Sequence, residues 1–211
     1  MTKFKKLLSA LLLLGALASC GETPTQSEEP KTEQPSEVVN GELEASLVGI
    51  CQNKTVYLTT AGQSDTNIVG NVLNKAGATG KYTLETMLNA NDVAEGSVVL
   101  LTLGSSSKGL GSAGVDEAHE KARAAAFAAA AKEGKFTLVL FHVGGVARRG
   151  TSSDPIIEAA FDGAKACFVV AEGNTDKFFT GLSNSKGVSL YTVDKTLGLV
   201  DYAKGLFGLA A

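Results

Sequence analysis

The chain of 211 residues is nearly balanced in charge, with 19 lysines and arginines against 22 acidic residues. Its formal net charge of −3 gives no basic surface of the kind that nucleic acids bind, so we expect no nucleic-acid partner. Hydrophobic residues make up 44% of the sequence, and its 24 glycines and lack of tryptophan are typical of compact α/β proteins.

The first twenty residues have the order of an export signal. Three lysines precede an apolar run from Leu7 to Ala18, which is too short to span a bilayer as a stable helix. The run ends in Leu-Ala-Ser-Cys, which resembles a bacterial lipoprotein box. The resemblance implies that residues 1–19 are a lipoprotein signal peptide and that Cys20 becomes the lipidated amino terminus. An ordinary signal peptide with an incidental cysteine is the alternative.

Residues 20–40 are predicted to be the lipidated cysteine followed by a disordered acidic tether. Residues 21–40 hold three of the four prolines and five glutamates with hardly an apolar side chain, so they cannot bury enough surface to fold. Loss of the signal peptide would leave 16 basic residues against 22 acidic ones. The sequence therefore predicts an extracytoplasmic protein of the cell envelope, anchored to the membrane by lipid, with unknown protein partners.

The rest of the chain, residues 41–211, has the length of a single domain in which predicted strands and helices alternate. The predicted strands are 55–60, 81–84, 97–103, 136–141, 167–171 and 188–193. The predicted helices are 68–76, 116–132, 156–164, 177–182 and 197–207. This alternation predicts an α/β fold with a three-layer parallel sheet, flavodoxin-like or Rossmann-like, of about five to six strands.

Four loops that follow predicted strands carry polar or small residues, and the loops at the carboxyl ends of parallel strands lie at one edge of the sheet. We name this edge the carboxyl rim, and it is where open α/β sheets bind ligands. The loops are Gln63-Ser64-Asp65, Ser105-Ser106-Ser107-Lys108, His142–Asp154 and Glu172–Asp176. The opposite loops look like plain helix ends and strand starts.

Two of the three arginines, Arg148 and Arg149, lie side by side before a predicted helix start at Asp154-Pro155. Planar guanidinium groups suit a carboxylate or phosphate, and the free N–H groups of a helix start attract anions. We therefore predict a site for a small anionic or polar ligand on the carboxyl rim. The predicted ligand-binding residues are Gln63, Ser64, Ser106, Ser107, Lys108, His142, Arg148, Arg149, Ser152, Ser153 and Asp154.

The structural alternative is that the two arginines pair with Asp154, Glu172 or Asp176 and only stabilise the fold. Two other functions also stay open. One is a cell-envelope hydrolase or transferase with His142 as general base, although a lone histidine at a strand end is more often a hydrogen-bonded structural residue. The other is a protein-interaction module without a small-molecule site. No catalytic residue can be assigned, and the third arginine, Arg123, is predicted to lie on the exposed face of the alanine-rich helix.

Several familiar motifs are incomplete. The stretch Gly109–Gly114 spells G-x-G-x-x-G, but it begins well beyond the strand and lacks the later acidic residue of a dinucleotide site. Gly104–Gly109 has P-loop glycine spacing, but Leu110 stands where lysine is needed. We therefore expect no cofactor. Two separated histidines and no cysteine cluster predict no metal site. Cys51 and Cys167 could pair in an exported chain, but buried free thiols are favoured.

Three motifs together resemble a bacterial family of exported and lipid-anchored proteins that is known only as a domain of unknown function. The motifs are Thr60-Ala61-Gly62-Gln63-Ser64, Ser106-Ser107-Lys108-Gly109-Leu110-Gly111, and His142-Val143-Gly144-Gly145 with Ala147-Arg148-Arg149-Gly150 and Ser153-Asp154. The resemblance implies a fold and a polar rim over about residues 55–193, and no reaction.

Overall fold

A computed structural model of the chain describes residues 37–39 and 41–210. The predicted signal peptide, Cys20 and most of the predicted tether lie outside the described residues. Within the described ranges, no helix is long and apolar enough to cross a membrane.

The domain is built on one sheet of seven parallel strands, which confirms the predicted α/β fold with one more strand than expected. The strands run in the spatial order β1-β7-β6-β5-β4-β2-β3. Their bounds are Glu37–Val39 (β1), Val56–Ala61 (β2), Thr83–Leu84 (β3), Val98–Leu103 (β4), Thr137–His142 (β5), Ala166–Val170 (β6) and Ser189–Val193 (β7).

The additional strand is β1, which lies in the stretch predicted to be a disordered tether. Residues 37–39 pair with Leu190–Thr192 at the edge of the sheet, so folded structure begins before Gly41. The composition of the segment was misleading because two adjacent valines and one well-bonded glutamate are enough to hold a short edge strand.

Six α-helices lie within the described residues, and five of them cover the two faces of the sheet. They are Thr66–Lys75 (α1), Ser107–Ala113 (α2), Glu117–Lys132 (α3), Asp154–Phe161 (α4), Phe178–Lys186 (α5) and Leu199–Phe207 (α6). Helices α1 and α6 enclose one half of the core, and α3, α4 and α5 enclose the other. Because both faces are covered, side chains alternate between two apolar layers along each central strand, as Leu100 and Leu101 of β4 do.

Cys51 and Cys167 are free and buried in these layers, which confirms the favoured prediction for this pair. Burial raises the pKa of Cys51 to about 12 and raises the pKa of Cys167 well above its ordinary value. Neither residue therefore presents a reactive thiolate at neutral pH.

The chain direction across the sheet reverses between β2 and β4. From β2 the chain passes through α1 to β3 at one edge, and from β4 it passes strand by strand towards the other edge. The order β3-β2-β4-β5-β6 is that of flavodoxin-like folds, which bind ligands where such a reversal leaves a crevice at the carboxyl ends. The loops after β2 and β4 therefore define the place to look for a site.

Candidate functional site

The loop from Gly62 to Asp65, which joins β2 to α1, has an unusual backbone. Its φ angles are 102° at Gly62, 58° at Gln63 and 58° at Asp65, and the last two are in a region that side chains rarely adopt. Hydrogen bonds hold the loop in place, because the Ser64 hydroxyl donates to Gly104 O at 2.7 Å and the Thr60 hydroxyl donates to Ser64 O at 3.1 Å. Such local strain is typical of functional sites.

A buried ion pair of α3 supports this loop from the side. Arg123 donates through Nε to Glu120 at 3.0 Å, and Glu120 accepts from Gly62 N at 2.7 Å and from the Gln63 side chain at 3.2 Å. Burial raises the pKa of Glu120, but the hydrogen bonds from Arg123 and Gly62 outweigh it and hold that pKa below its ordinary value.

Arg123 was predicted to be exposed, and this prediction is wrong because the residue is only 5% exposed. Its guanidinium donates to Leu88 O at 2.8 Å and to Thr60 O. The short strand β3 pairs with β2 only at Tyr57 and Leu58, so the carbonyl of Thr60 has no strand partner on that side. Arg123 therefore replaces the missing strand, and the many alanines of α3 give no pattern that reveals which face is buried.

The loops after β2 and β4 cross so closely that only glycine fits. A Cβ on Gly62 would lie 2.2 Å from Gly104 O, and Ser106 N donates to Gly62 O at 2.9 Å. The polar stretch Ser105–Lys108, predicted as a loop after β4, is partly helical, because α2 begins at Ser107. Ser106 caps this helix by accepting from Gly109 N at 3.2 Å, and Gly109 packs against the backbone of Gln63.

Arg148 lies over this crossing and is fixed by one carboxylate. Its Nε is 3.2 Å from Asp65 Oδ2, and its aliphatic stem packs against Gly104 and Gly144, where a Cβ would come within 2.8 Å and 2.0 Å of it. The four N–H groups on its two terminal nitrogens make no hydrogen bond within residues 37–39 and 41–210. The side chain is 32% exposed, so Arg148 is an oriented cation with open donors.

Arg149 has the opposite environment, because each of its guanidinium nitrogens is engaged. Its Nε donates to Asp154 at 2.7 Å, Nη1 to Gly173 O at 2.5 Å and Nη2 to Asp176 at 3.0 Å. Two further bonds to the same carboxylates use its remaining donors, and its Cζ lies 3.9 Å from the centre of the Phe178 ring. Arg149 therefore takes the structural role that the sequence left open as an alternative for both arginines.

His142 is fully buried at the end of β5. Its Nδ1 is 3.1 Å from Leu103 O and its Nε2 is 3.1 Å from Gly145 O, although a neutral imidazole can donate to only one of them. Burial is the main reason that the pKa of His142 is lowered. The ring packs on Phe179, and a Cβ at Gly173 would lie 2.6 Å from it. His142 thus joins the loops and has no surface from which to act as a general base.

The remaining predicted site residues also fall into two groups, those engaged within the fold and those open to solvent. Ser153 is buried and accepts from Ser105 N at 2.8 Å, and Asp154 is the first residue of α4 rather than the residue before it. By contrast, Ser107 and Lys108 are exposed and Ser152 is partly exposed, with no side-chain hydrogen bond among the described residues. No cluster of three potential metal ligands occurs in this part of the chain.

A pocket of about 320 Å³ opens beside Asp65, at the amino end of α1. It is lined by Thr60, Gln63, Ser64, Asp65, Thr66, Asn67, Ile68 and Thr86. The side chain of Asp65 does not cap α1, since its carboxylate faces Arg148, so no side chain of the described residues accepts from the first amides of the helix. Asp65 was absent from the predicted site residues, and so were Glu120 and Arg123, whose spacing of three on a helix was the only sequence signal.

Comparisons with known proteins identify the family of this chain and nothing further. Neither a curated protein nor a solved structure matches the chain. One family, described as Domain of unknown function (DUF6305), matches residues 53–207, which include every strand from β2 to β7 and all of the rim loops. Since this match covers most of the sequence, the chain belongs to that family.

Proposed function

We propose that this domain binds a small anionic ligand on the carboxyl rim, between the loops that follow β2, β4 and β5. The observation that carries the proposal is the state of Arg148, which Asp65 and two glycines hold in place while its terminal nitrogens stay open. An arginine that is already oriented loses little conformational freedom when it binds an anion, so more of the interaction energy appears as affinity.

The position of Arg148 supports this function. The side chain packs against Gly104 at the end of β4, at the reversal of chain direction where flavodoxin-like sheets bind ligands. The pocket beside Asp65, which Arg148 does not line, contains the first turn of α1, whose partial positive charge favours anions. Lys108 is exposed on the neighbouring α2 and adds a positive charge near the rim. Arg149, His142 and Ser153 support the loops and do not contact the ligand.

A larger pocket, of about 620 Å³, lies at the amino ends of β2 and β3. Its two cationic residues, Lys54 and Lys81, are exposed and form no ion pair within the described ranges that would orient them. Flexible lysines lose much side-chain entropy on binding. The rim is therefore the better anion site, although it is the smaller cavity.

The proposal is tested by titrating the full chain with inorganic phosphate and with acetate, using acetamide as the neutral counterpart of acetate. Arg148→Ala should weaken binding of the preferred anion about ten- to a hundredfold, which corresponds to the roughly 1.5–3 kcal/mol of a charge-assisted hydrogen bond. Arg148→Lys should recover only part of the affinity, because it restores charge without the planar fork. Lys132→Ala removes a positive charge from the exposed end of α3 and is the matched control. Equal affinities for Arg148→Ala and Lys132→Ala would reject the site.

We also propose that the protein is anchored to a membrane through lipid on Cys20 and lies in the cell envelope outside the cytoplasm. The support is the order Leu-Ala-Ser-Cys after a short apolar run and the acidic, proline-containing stretch that follows it. Cys20→Ser should abolish palmitate labelling and release the protein from the membrane fraction, with the melting temperature unchanged. Retention of both the label and the membrane association would contradict the anchor.

A further inference from the structure

The edge of the sheet at β7 carries a site for a carboxylate, and β1 occupies it with Glu37. The Glu37 carboxylate accepts hydrogen bonds from Thr180 Oγ1 at 2.8 Å and Thr192 Oγ1 at 3.1 Å. Lys177 Nζ lies at 3.3 Å and Asn174 Nδ2 at 3.4 Å. We call these four residues the notch.

The notch is built by residues 41–210, which we call the body of the domain. Its shape does not depend on β1. Asn174 is 4% exposed, and its Oδ1 accepts from Phe179 N at 2.9 Å and Thr180 N at 3.3 Å, which caps α5. Thr192 belongs to β7, which pairs with β6 on its other side. The amino end of α5 and Lys177 give the notch a positive potential that suits a carboxylate.

The body of the domain is also attached immediately after β1 by contacts of its own. The Tyr202 hydroxyl donates to Gly41 O at 2.7 Å, and Glu44 N donates to the Tyr191 hydroxyl at 3.1 Å. Only Asn40 stands between this attachment and the three residues of β1. Departure of β1 would leave the body intact but would expose the edge of β7, which is a template for another extended strand.

The geometry points to a second copy of this chain as the partner for that edge. We propose that residues 37–39 of one copy dock on β7 of another, with Glu37 in the partner's notch, to give an arm-exchanged dimer. The connection favours exchange because it is short and tight: a Cβ on Gly41 would lie 2.4 Å from Val38 Cγ1. Short, constrained hinges promote exchange of identical elements, since every contact is kept while the hinge opens.

The proposal is tested in cells that produce two full chains with different epitope tags, one with Val39→Cys and the other with Thr192→Cys. These two positions are paired neighbours in β1 and β7. Oxidation should give a disulfide between the two tagged chains. Adding Glu37→Gln to the Val39→Cys chain should leave its yield within about twofold, because the same hydrogen bonds are lost from the closed chain and from the exchanged dimer. A chain with both cysteines that forms only an internal disulfide, with none between chains, would overturn the exchange.

A second measurement uses no cysteine variant, so it does not depend on whether the Thr192→Cys chain folds. Two tagged full chains are produced together, and the fraction of one that is recovered with the other is measured. Gly41→Ala should raise this fraction several-fold, because the added Cβ disfavours the closed connection but not the open one, and Glu37→Gln should leave it nearly unchanged. A fraction that does not rise with Gly41→Ala, or no recovery from the unsubstituted chains, would contradict the dimer.

Discussion

Arg148 and Arg149 are neighbours in the sequence, but they belong to two different regions of the rim. Arg148 faces the loops of β2 and β4, where one carboxylate holds it and its terminal nitrogens stay open. Arg149 faces the start of α4 and the loop after β6, where two carboxylates, a carbonyl and an aromatic ring enclose it. The difference shows that the number of acceptors brought by other elements, and not residue type or position in the chain, separates a binding arginine from a structural one.

The largest expected effect comes from the ion pair that supports the Arg148 region. Arg123→Leu would leave the carboxylate of Glu120 buried without its charge partner, so we expect a loss of about 3–5 kcal/mol in the free energy of unfolding. The double variant Arg123→Leu with Glu120→Leu should recover part of this loss, since no buried charge remains. Urea denaturation of the single and double variants measures both. A loss below about 1 kcal/mol for Arg123→Leu would show that the pair does not hold the loop.

Next in size is the replacement of Arg149. Arg149→Ala removes a buried guanidinium, but Asp176 is 61% exposed and Asp154 is 27% exposed, so water takes over part of the solvation of both carboxylates. We therefore expect a loss of about 2 kcal/mol in the free energy of unfolding. Anion affinity, measured well below the melting temperature, should stay within about twofold. A large loss of affinity with unchanged stability would reverse the roles assigned to the two arginines.

The sequence predicts the common framework of both regions better than it predicts their difference. Buried parallel strands read as apolar runs, so β2 and β4 to β7 follow from the sequence, whereas the two exposed residues of β3 do not show this pattern. The pairing of Arg149 with Asp154 and Asp176 was foreseen as an alternative, because these acids lie in the adjacent rim loops. The open state of Arg148 could not be foreseen, since it depends on where the left-handed backbone at Asp65 directs a carboxylate.

Two predictions from the sequence, for Arg123 and for residues 37–39, are wrong for related physical reasons. Arg123 was placed on the surface because an alanine-rich helix has no apolar stripe that marks its buried face. The strand β1 was missed because the composition of a 20-residue window outweighed three residues within it. In both places a single polar side chain with several partners, Arg123 or Glu37, decides the local structure.

His142 connects the two regions, because it contacts the end of β4 and the loop that carries both arginines. Burial lowers its pKa in the folded state, so below about pH 6.5 the unfolded chain binds a proton more readily than the folded one. Above pH 6.5, the free energy of unfolding should therefore keep its full contribution from neutral His142. It should fall as the pH drops towards the lowered pKa of the folded state, by about 1.4 kcal/mol for each unit by which folding lowers that pKa.

The measurement for His142 is the free energy of unfolding in urea between pH 7.5 and 5. His142→Gln should flatten this dependence, while His119→Gln, which removes the exposed histidine of α3, should leave it unchanged. The acidic groups with lowered pKa values, Glu37, Glu120, Asp162 and Asp176, have pKa values below this range. An equal slope in His142→Gln and in the unsubstituted chain would assign the acid sensitivity to another group.

The smallest expected effect, and the sharpest comparison of the two regions, comes from Asp65→Asn. Asn keeps the size of the side chain but weakens its hold on Arg148, so stability should change by less than about 1 kcal/mol, as for other partly exposed ion pairs. If Asp65 acts by orienting Arg148, anion affinity should fall about threefold to tenfold. The effect should vanish in the Arg148→Ala background, because no guanidinium remains to be oriented. Without such orientation, Asp65→Asn would remove a negative charge beside an anion and strengthen binding in both backgrounds. Isothermal titration of the four chains with the same anion therefore distinguishes a positioned arginine from a merely exposed one.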